Sequence, residues 1–245
     1  MTVDVEYDYE TEKSDSVPLI VPRLLDYFRK KKITATFFVL GKIAEKYPAI
    51  VKDVAKEHEV ASHCYDHVAL SSLSIPEQEN QLRKGKKAIE DLGIECNGVR
   101  APYYMIEKNH FTLVKKVGFR YDSSISTFFP GRYAHMPQSK PFIREMVVEI
   151  PVPNWLPFFP PAGLSYYRFF YPLSKAFQLP SMIYLHPCEF MDAPITKELP
   201  RIIRNAYARN QGEKAWKIFT DLIERSDCEW KSCREYVKSL PSFRM

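Results

Sequence analysis

Apolar positions in the first half of the chain alternate between a helical and an extended pattern. Ile20, Leu24, Leu25 and Phe28 recur at helical spacing and predict an amphipathic helix over 17–31. Ala35 to Leu40 is a continuous apolar run ended by Gly41, as expected of a buried strand. A second helix is expected over 43–57, a strand over Glu59–Ser62, and a polar helix over 75–92, with Ser74 and Pro76 as its start and Gly93 as its stop. Met1–Val5, Gly98–Arg100 and Phe119–Tyr121 read as further strands, and 108–117 as a helix closed by Gly118. Strand alternating with helix predicts parallel βα units, in an open doubly wound sheet or a barrel.

The pattern breaks after Asp122. Residues 127–180 are dense in Pro, Phe and Tyr, and only Val147–Val152 reads clearly as a strand. An irregular stretch of that length predicts a lid or binding wall. A strand over Ser181–Leu185 and helices over 198–210 and 213–223 follow. Ala215, Trp216, Phe219, Leu222 and Ile223 form the apolar face of the last helix. The expectation is a single domain over 1–245, with 127–180 as an irregular insertion and 197–245 as C-terminal helices.

Asp4, His63, Arg100, Asp122 and His186 each fall at or just beyond the C-terminal end of a predicted strand, the edge where parallel α/β folds assemble their sites. His63 and His67 are four residues apart, which places both imidazoles on one side of a helical turn and within reach of one divalent metal. A carboxylate from Asp4 or Glu6 would complete three protein ligands and leave a position open for water, the layout of a hydrolytic site. Side chains alternate faces along a strand, so Asp4 and Glu6 point the same way. Asp66 and Glu189 are candidate partners of the histidines, with capping or solvent exposure as the alternative. Trp155, Tyr166 and Tyr167 are either core or lid residues or a platform for a sugar ring. His58, His110 and His135 lack supporting context and are expected at the surface.

Composition narrows the picture. Nineteen prolines against eight glycines suggest rigid loops, and no glycine-rich phosphate-binding pattern is present, which argues against nucleotide chemistry. Five cysteines, odd in number and without C-x-x-C spacing, predict free thiols in a reducing compartment. With no signal peptide read ahead of the first strand, a cytoplasmic location is expected. The net charge is +5, and residues 197–245 hold eleven Lys or Arg against seven Asp or Glu. A basic face there could meet anionic lipid or an acidic substrate, or be only a solvated helix surface. No nucleic-acid partner is expected, and no uncharged apolar run is long enough to span a membrane.

In order along the chain, these residues resemble the polysaccharide deacetylase (NodB homology) family of metal-dependent carbohydrate esterases, in the subgroup whose first motif reads Asp-Val-Glu. Thr2-Val3-Asp4-Val5-Glu6 resembles motif one, and Ser62-His63-Cys64-Tyr65-Asp66-His67 the metal-binding pair of motif two. Arg100-Ala101-Pro102-Tyr103 is similar to motif three, Tyr121-Asp122-Ser123-Ser124 to motif four, and Leu185-His186-Pro187 with Glu189 to the closing motif. The tail segment Asn210–Ala215 also looks like the subgroup. The resemblance implies an α/β fold, a distorted (β/α)7-type barrel. It implies one divalent metal, with Zn²⁺ the expected ion, on Glu6, His63 and His67, and removal of an acetyl group from an N-acetylated sugar or sugar conjugate. Asp4 is then the base, oriented by Arg100; the backbone N–H of Tyr103 is the oxyanion donor; His186 is the acid. Asp122 either fixes His186 or braces Arg100. A lipid- or nucleotide-linked sugar and peripheral membrane contact are compatible expectations. The rival readings are an amidohydrolase acting on a cyclic amide or ureide, and a catalytically silent carbohydrate- or lipid-binding module.

Overall fold

The computed structural model describes residues 1–126, 140–156, 160–192, 195 and 201–240 of the chain. Its frame is one eight-stranded sheet: β1 (Thr2–Val5), β2 (Thr36–Val39), β3 (Glu59–Ser62), β4 (Gly98–Val99), β5 (Tyr121–Asp122), β6 (Phe142–Arg144), β7 (Val147–Glu149) and β8 (Tyr184–Leu185). The spatial order is β6-β7-β5-β4-β3-β2-β1-β8. All neighbours run parallel except the β6–β7 pair. Seven parallel strands curling around a filled interior match the expected distorted (β/α)7 architecture. Phe38, Ala61, Tyr104, Tyr121, Val148, Ile150, Met182 and Tyr184 belong to one buried cluster. A larger cluster joins Val3, Val5, Phe37 and Val39 to Val17, Val21, Leu24 and Phe28 of helix α1 (Ser16–Lys31).

Register explains why the functional candidates converge. Val5, Val39, Ser62, Val99, Asp122 and Glu149 pair in one continuous row across six strands. The residues that follow in the chain, among them Glu6, His63 and Arg100, therefore leave the sheet at one rim. Val3 pairs with Leu185, so His186 stands level with Asp4 on the neighbouring strand.

The expected helix over 43–57 is two helices, α2 (Gly41–Lys46) and α3 (Pro48–Ala55). Tyr47 at the junction has a non-helical backbone, because the ring of Pro48 disfavours the helical region for the residue before it. α4 (Ile75–Glu90) opens with the capping box of Ser74 and Glu77. α5 (His110–Val117) closes at Gly118 with φ of 88°.

Later in the chain come α6 (Leu164–Phe169), α7 (Arg201–Ala208), α8 (Glu213–Glu224) and α9 (Cys233–Ser239). The predicted helix over 198–210 starts partly outside the described residues, as do parts of the expected 127–180 insertion, including 127–139 and 157–159. Among the described residues of that stretch, Trp155 and Tyr167 are core and not a sugar platform. They are buried, pack ring to ring at 4.8 Å, and Trp155 donates Nε1–H to the carbonyl of Gly163. Among the described residues, no helix is long and apolar enough to cross a membrane.

Candidate active site

Asp4 lies in β1 and Glu6 just beyond it, and the alternate residues Val3 and Val5 belong to the core. The carboxylate of Glu6 reaches both predicted imidazoles: Oε2 is 2.7 Å from His67 Nε2 and 3.2 Å from His63 Nε2. One ligand atom from each of the three residues falls within 4.8 Å of the other two, close enough for a shared cation.

The chemistry of the donors fits a metal. His63 Nδ1 lies 2.7 Å from the carbonyl oxygen of Arg100, which can only accept, so Nδ1 carries the proton and donates. In neutral imidazole this leaves a lone pair on Nε2, aimed at a carboxylate oxygen. Two lone-pair atoms at that separation call for a positive charge between or upon them. Burial pushes the Glu6 carboxyl up, but His67 and His186 outweigh it and hold the group well below the usual carboxylate range.

The loop carrying the two histidines is not the helical turn expected from their spacing. His63–His67 is an extended-to-bend segment in which Cys64 takes a left-handed backbone, φ 65°. That conformation costs a non-glycine residue about 1–3 kcal/mol and is held from outside. The N–H groups of Gly41 and Lys42, at the start of α2, bond the carbonyls of Cys64 and Tyr65. Ser62 Oγ accepts the Cys64 N–H at 3.1 Å. α4 comes in so closely that a Cβ on Gly85 would lie 2.5 Å from the Cys64 carbonyl carbon. Asp66 does not touch the imidazoles. One of its carboxylate oxygens accepts from Tyr7 Oη and from the backbone N–H of His67, and the other pairs with Lys42.

Arg100 is fully buried and donates Nη1–H to Asp4 Oδ1 at 2.7 Å. Its remaining donors go to Thr2 Oγ1, Ser123 Oγ, the Ser123 carbonyl and Met182 Sδ, and its guanidinium lies 4.2 Å above the Phe38 ring. Burial opposes its charge, yet the Asp4 carboxylate more than compensates and raises its pKa above the ordinary range. The buried contact fixes the orientation of the Asp4 carboxylate.

Asp122 takes neither role expected of it. Its carboxylate faces His110 Nε2 at 3.1 Å and accepts from Ser124 Oγ at 2.6 Å, while the Ala101 N–H donates to the same hydroxyl. Asp122 thus braces the turn that carries Tyr103. His110 is buried, against the surface expectation, and so is His58, which packs between Phe28 and Phe37. His110 opens α5 against the Asp122 carboxylate, and His58 lies in the bend before β3. Burial and the nearby Asp122 push Glu149 well above the carboxylate range, whereas for Asp122 the effect of burial is outweighed by His110, which holds it low. Tyr103 and Tyr104 both have positive φ, and the Tyr103 ring packs 4.4 Å from that of His67.

His186 faces Glu6 across the site, 3.7 Å from Nε2 to Oε1, and its other nitrogen lies 3.1 Å from Glu189 Oε1. Burial favours a neutral imidazole, but Glu6 and Glu189 win and its pKa is pushed up to about 9. Glu189 is ranked only as a candidate by the sequence, and its second partner, Arg168, carries no sequence signal at all. A groove of about 590 Å³, lined in part by Tyr7, Lys42, Lys46, His67 and Tyr103, opens beside the histidine pair.

The chain matches the family described as polysaccharide deacetylase over residues 2–121, just under half of its length. It is 35% identical over 100 residues to a peptidoglycan-N-acetylglucosamine deacetylase of Bacillus cereus, covering 40% of this chain and 36% of that protein. It is 31% identical over 155 residues to a peptidoglycan deacetylase of Helicobacter pylori, covering 55% of this chain and 53% of the relative. The matched segments thus span between a third and just over half of these relatives. The crystal structure of the Bc1960 peptidoglycan N-acetylglucosamine deacetylase superposes with a TM-score of 0.55 at 18% identity, over 96% of this chain and 85% of the other, a likeness of fold.

Proposed function

We propose that the protein is a metal-dependent hydrolase that removes the acetyl group from an N-acetylated sugar or sugar conjugate. The observation that carries this reading is the convergence of Glu6, His63 and His67 on one point, with the Asp4–Arg100 pair on the same strand rim and His186 opposite. A surface cluster would not recruit a fully buried arginine to hold a carboxylate beside it.

Glu6, His63 and His67 would hold the metal, and two imidazoles with one carboxylate suit Zn²⁺. A divalent ion there supplies Lewis acidity to the amide carbonyl and to water. Asp4, held in place by Arg100, takes the proton of the attacking water. The backbone N–H of Tyr103, on the turn braced by Asp122 and Ser124, donates to the oxyanion. His186 gives a proton to the departing amine, without which nitrogen leaves poorly. The curated relatives are named for deacetylation of peptidoglycan, and their names support an N-acetylated glycan as substrate. The five free cysteines support a reducing, cytoplasmic setting.

The test is acetate release from chitotetraose and from purified peptidoglycan by the zinc-loaded protein, with the Asp4→Asn variant as control. Release by the wild type, lost in the variant, is expected. Turnover of cyclic ureides with no acetate released from either glycan would replace this reading with the amidohydrolase one.

A further inference from the structure

The residues that hold His186 lie outside the segment matched by the family. Glu189 Oε1 is 3.1 Å from His186 Nδ1 and accepts the His186 backbone N–H at 3.1 Å. Its other oxygen accepts from Arg168 Nε at 2.8 Å. The side chains of Arg168 and Glu189 are 0% and 1% exposed. Arg168 is fixed in turn by a hydrogen bond from Nη1 to the carbonyl of Arg209, and its own carbonyl accepts from Asn210 Nδ2 at 2.8 Å. The Gly212 N–H returns to the Glu189 carbonyl at 3.1 Å. Gly212 has φ of 62°, and a Cβ there would sit 2.4 Å from Asp192 Oδ1, so the loop tolerates only glycine in this path. α6, the turn after β8 and the loop before α8 are thereby tied to a single carboxylate.

Burying an arginine and a glutamate is costly unless each charge is answered. Arg168 keeps Glu189 ionised, and an ionised Glu189 can only accept from Nδ1. That fixes the proton on Nδ1 and turns Nε2 toward the site, the face that meets Glu6. Asp122, more than one strand away and engaged with His110 and Ser124, plays no part in this.

We propose that Glu189, held by Arg168, is the positioning residue for His186 as proton donor; the inference rests on the deacetylase reading above. In the step concerned, the C–N bond breaks and its electron pair passes to nitrogen, which takes the Nε2 proton. His186 is left neutral with its Nδ1–H still donated to Glu189, which does not change protonation.

The test compares two substrates on zinc-loaded protein. The amine of chitotetraose leaves only with a proton, whereas the nitrophenolate of 4-nitrophenyl acetate leaves without one. In Glu189→Gln, kcat for acetate release from chitotetraose is expected to fall about 10–100-fold at unchanged KM and zinc content, the usual cost of losing a partner that orients a site histidine, with ester turnover falling by less than about threefold. Arg168→Lys, which keeps the charge but not the fork, shifts the ratio in the same direction by less, and serves where Glu189→Gln fails to fold by circular dichroism. Parallel loss on both substrates, or loss on neither, overturns the inference alone. A wild type that releases no acetate from chitotetraose overturns the deacetylase reading and this inference with it.

Discussion

Arg100 Nη1 stands 2.7 Å from Asp4 Oδ1 at the floor of the strand rim, and solvent reaches almost none of either side chain. The pair joins the first and third motifs across β1 to β4, so one contact serves both fold and chemistry. Arg100→Met is expected to cost about 3–5 kcal/mol in urea unfolding, because it leaves Asp4 charged and unanswered in the interior. Asp4→Asn keeps shape and metal but removes the base, and acetate release should fall by about 10²–10⁴-fold. An Asp4→Asn protein with wild-type turnover would remove Asp4 from the reaction.

Two buried glutamates predict opposite responses to pH. Glu189 lies at about 2 in the folded protein, since His186 and Arg168 outweigh the effect of burial. Its stabilisation is present above the ordinary glutamate value and is lost as pH falls from there toward 2. Glu149 is raised by burial and by Asp122, so its contribution is complete below the ordinary value and is lost as pH rises through the folded one. Glu149→Gln, which mimics the protonated acid, should therefore gain thermal stability over wild type as pH rises from 5 to 8. A constant difference in melting temperature across that range would contradict the assignment.

Gly98 has no room for a side chain: a Cβ would lie 1.9 Å from the Tyr121 ring on the neighbouring strand. Tyr121 is buried and cannot swing out to solvent. Gly98→Ala should cost about 1–3 kcal/mol by overpacking, measured by denaturant unfolding, and should lower activity because Arg100 follows two residues later. Unchanged stability would mean that β4 and β5 sit further apart than they are placed.

Much of this site is legible before folding, for a physical reason. A site at the rim of a parallel sheet draws its residues from strand ends, and strand ends are marked by apolar runs that stop at polar residues. Asp4, Glu6, His63, Arg100 and His186 all carry that mark. The partners that orient them do not. Arg168 sits in an aromatic run, and only the loop around Gly212 brings it under Glu189. The placement of Asp122 depends on which of two neighbours its side chain meets, and spacing is silent on that. The helix α9 did leave a signal, the Ser232-x-x-Glu235 capping box, which the basic tail obscured. The break at Pro48 was legible too, since a proline inside a helical pattern marks its interruption.

Removal of the metal should separate folding from chemistry. The three ligands sit just past β1 and on a loop pinned by α2 and α4, so the apo protein is expected to keep its circular dichroism spectrum. A chelator should abolish acetate release and zinc should restore it. His67→Ala should lower metal affinity by an order of magnitude or more while leaving the Asp4–Arg100 pair intact. Retention of full metal content after this substitution would exclude His67 as a ligand.

The most direct measurement is anomalous scattering from crystals of the zinc-loaded protein. One ion is expected at roughly 2.0–2.2 Å from a Glu6 carboxylate oxygen and from Nε2 of both His63 and His67. A peak elsewhere, or none at this point with zinc in excess, would contradict the account.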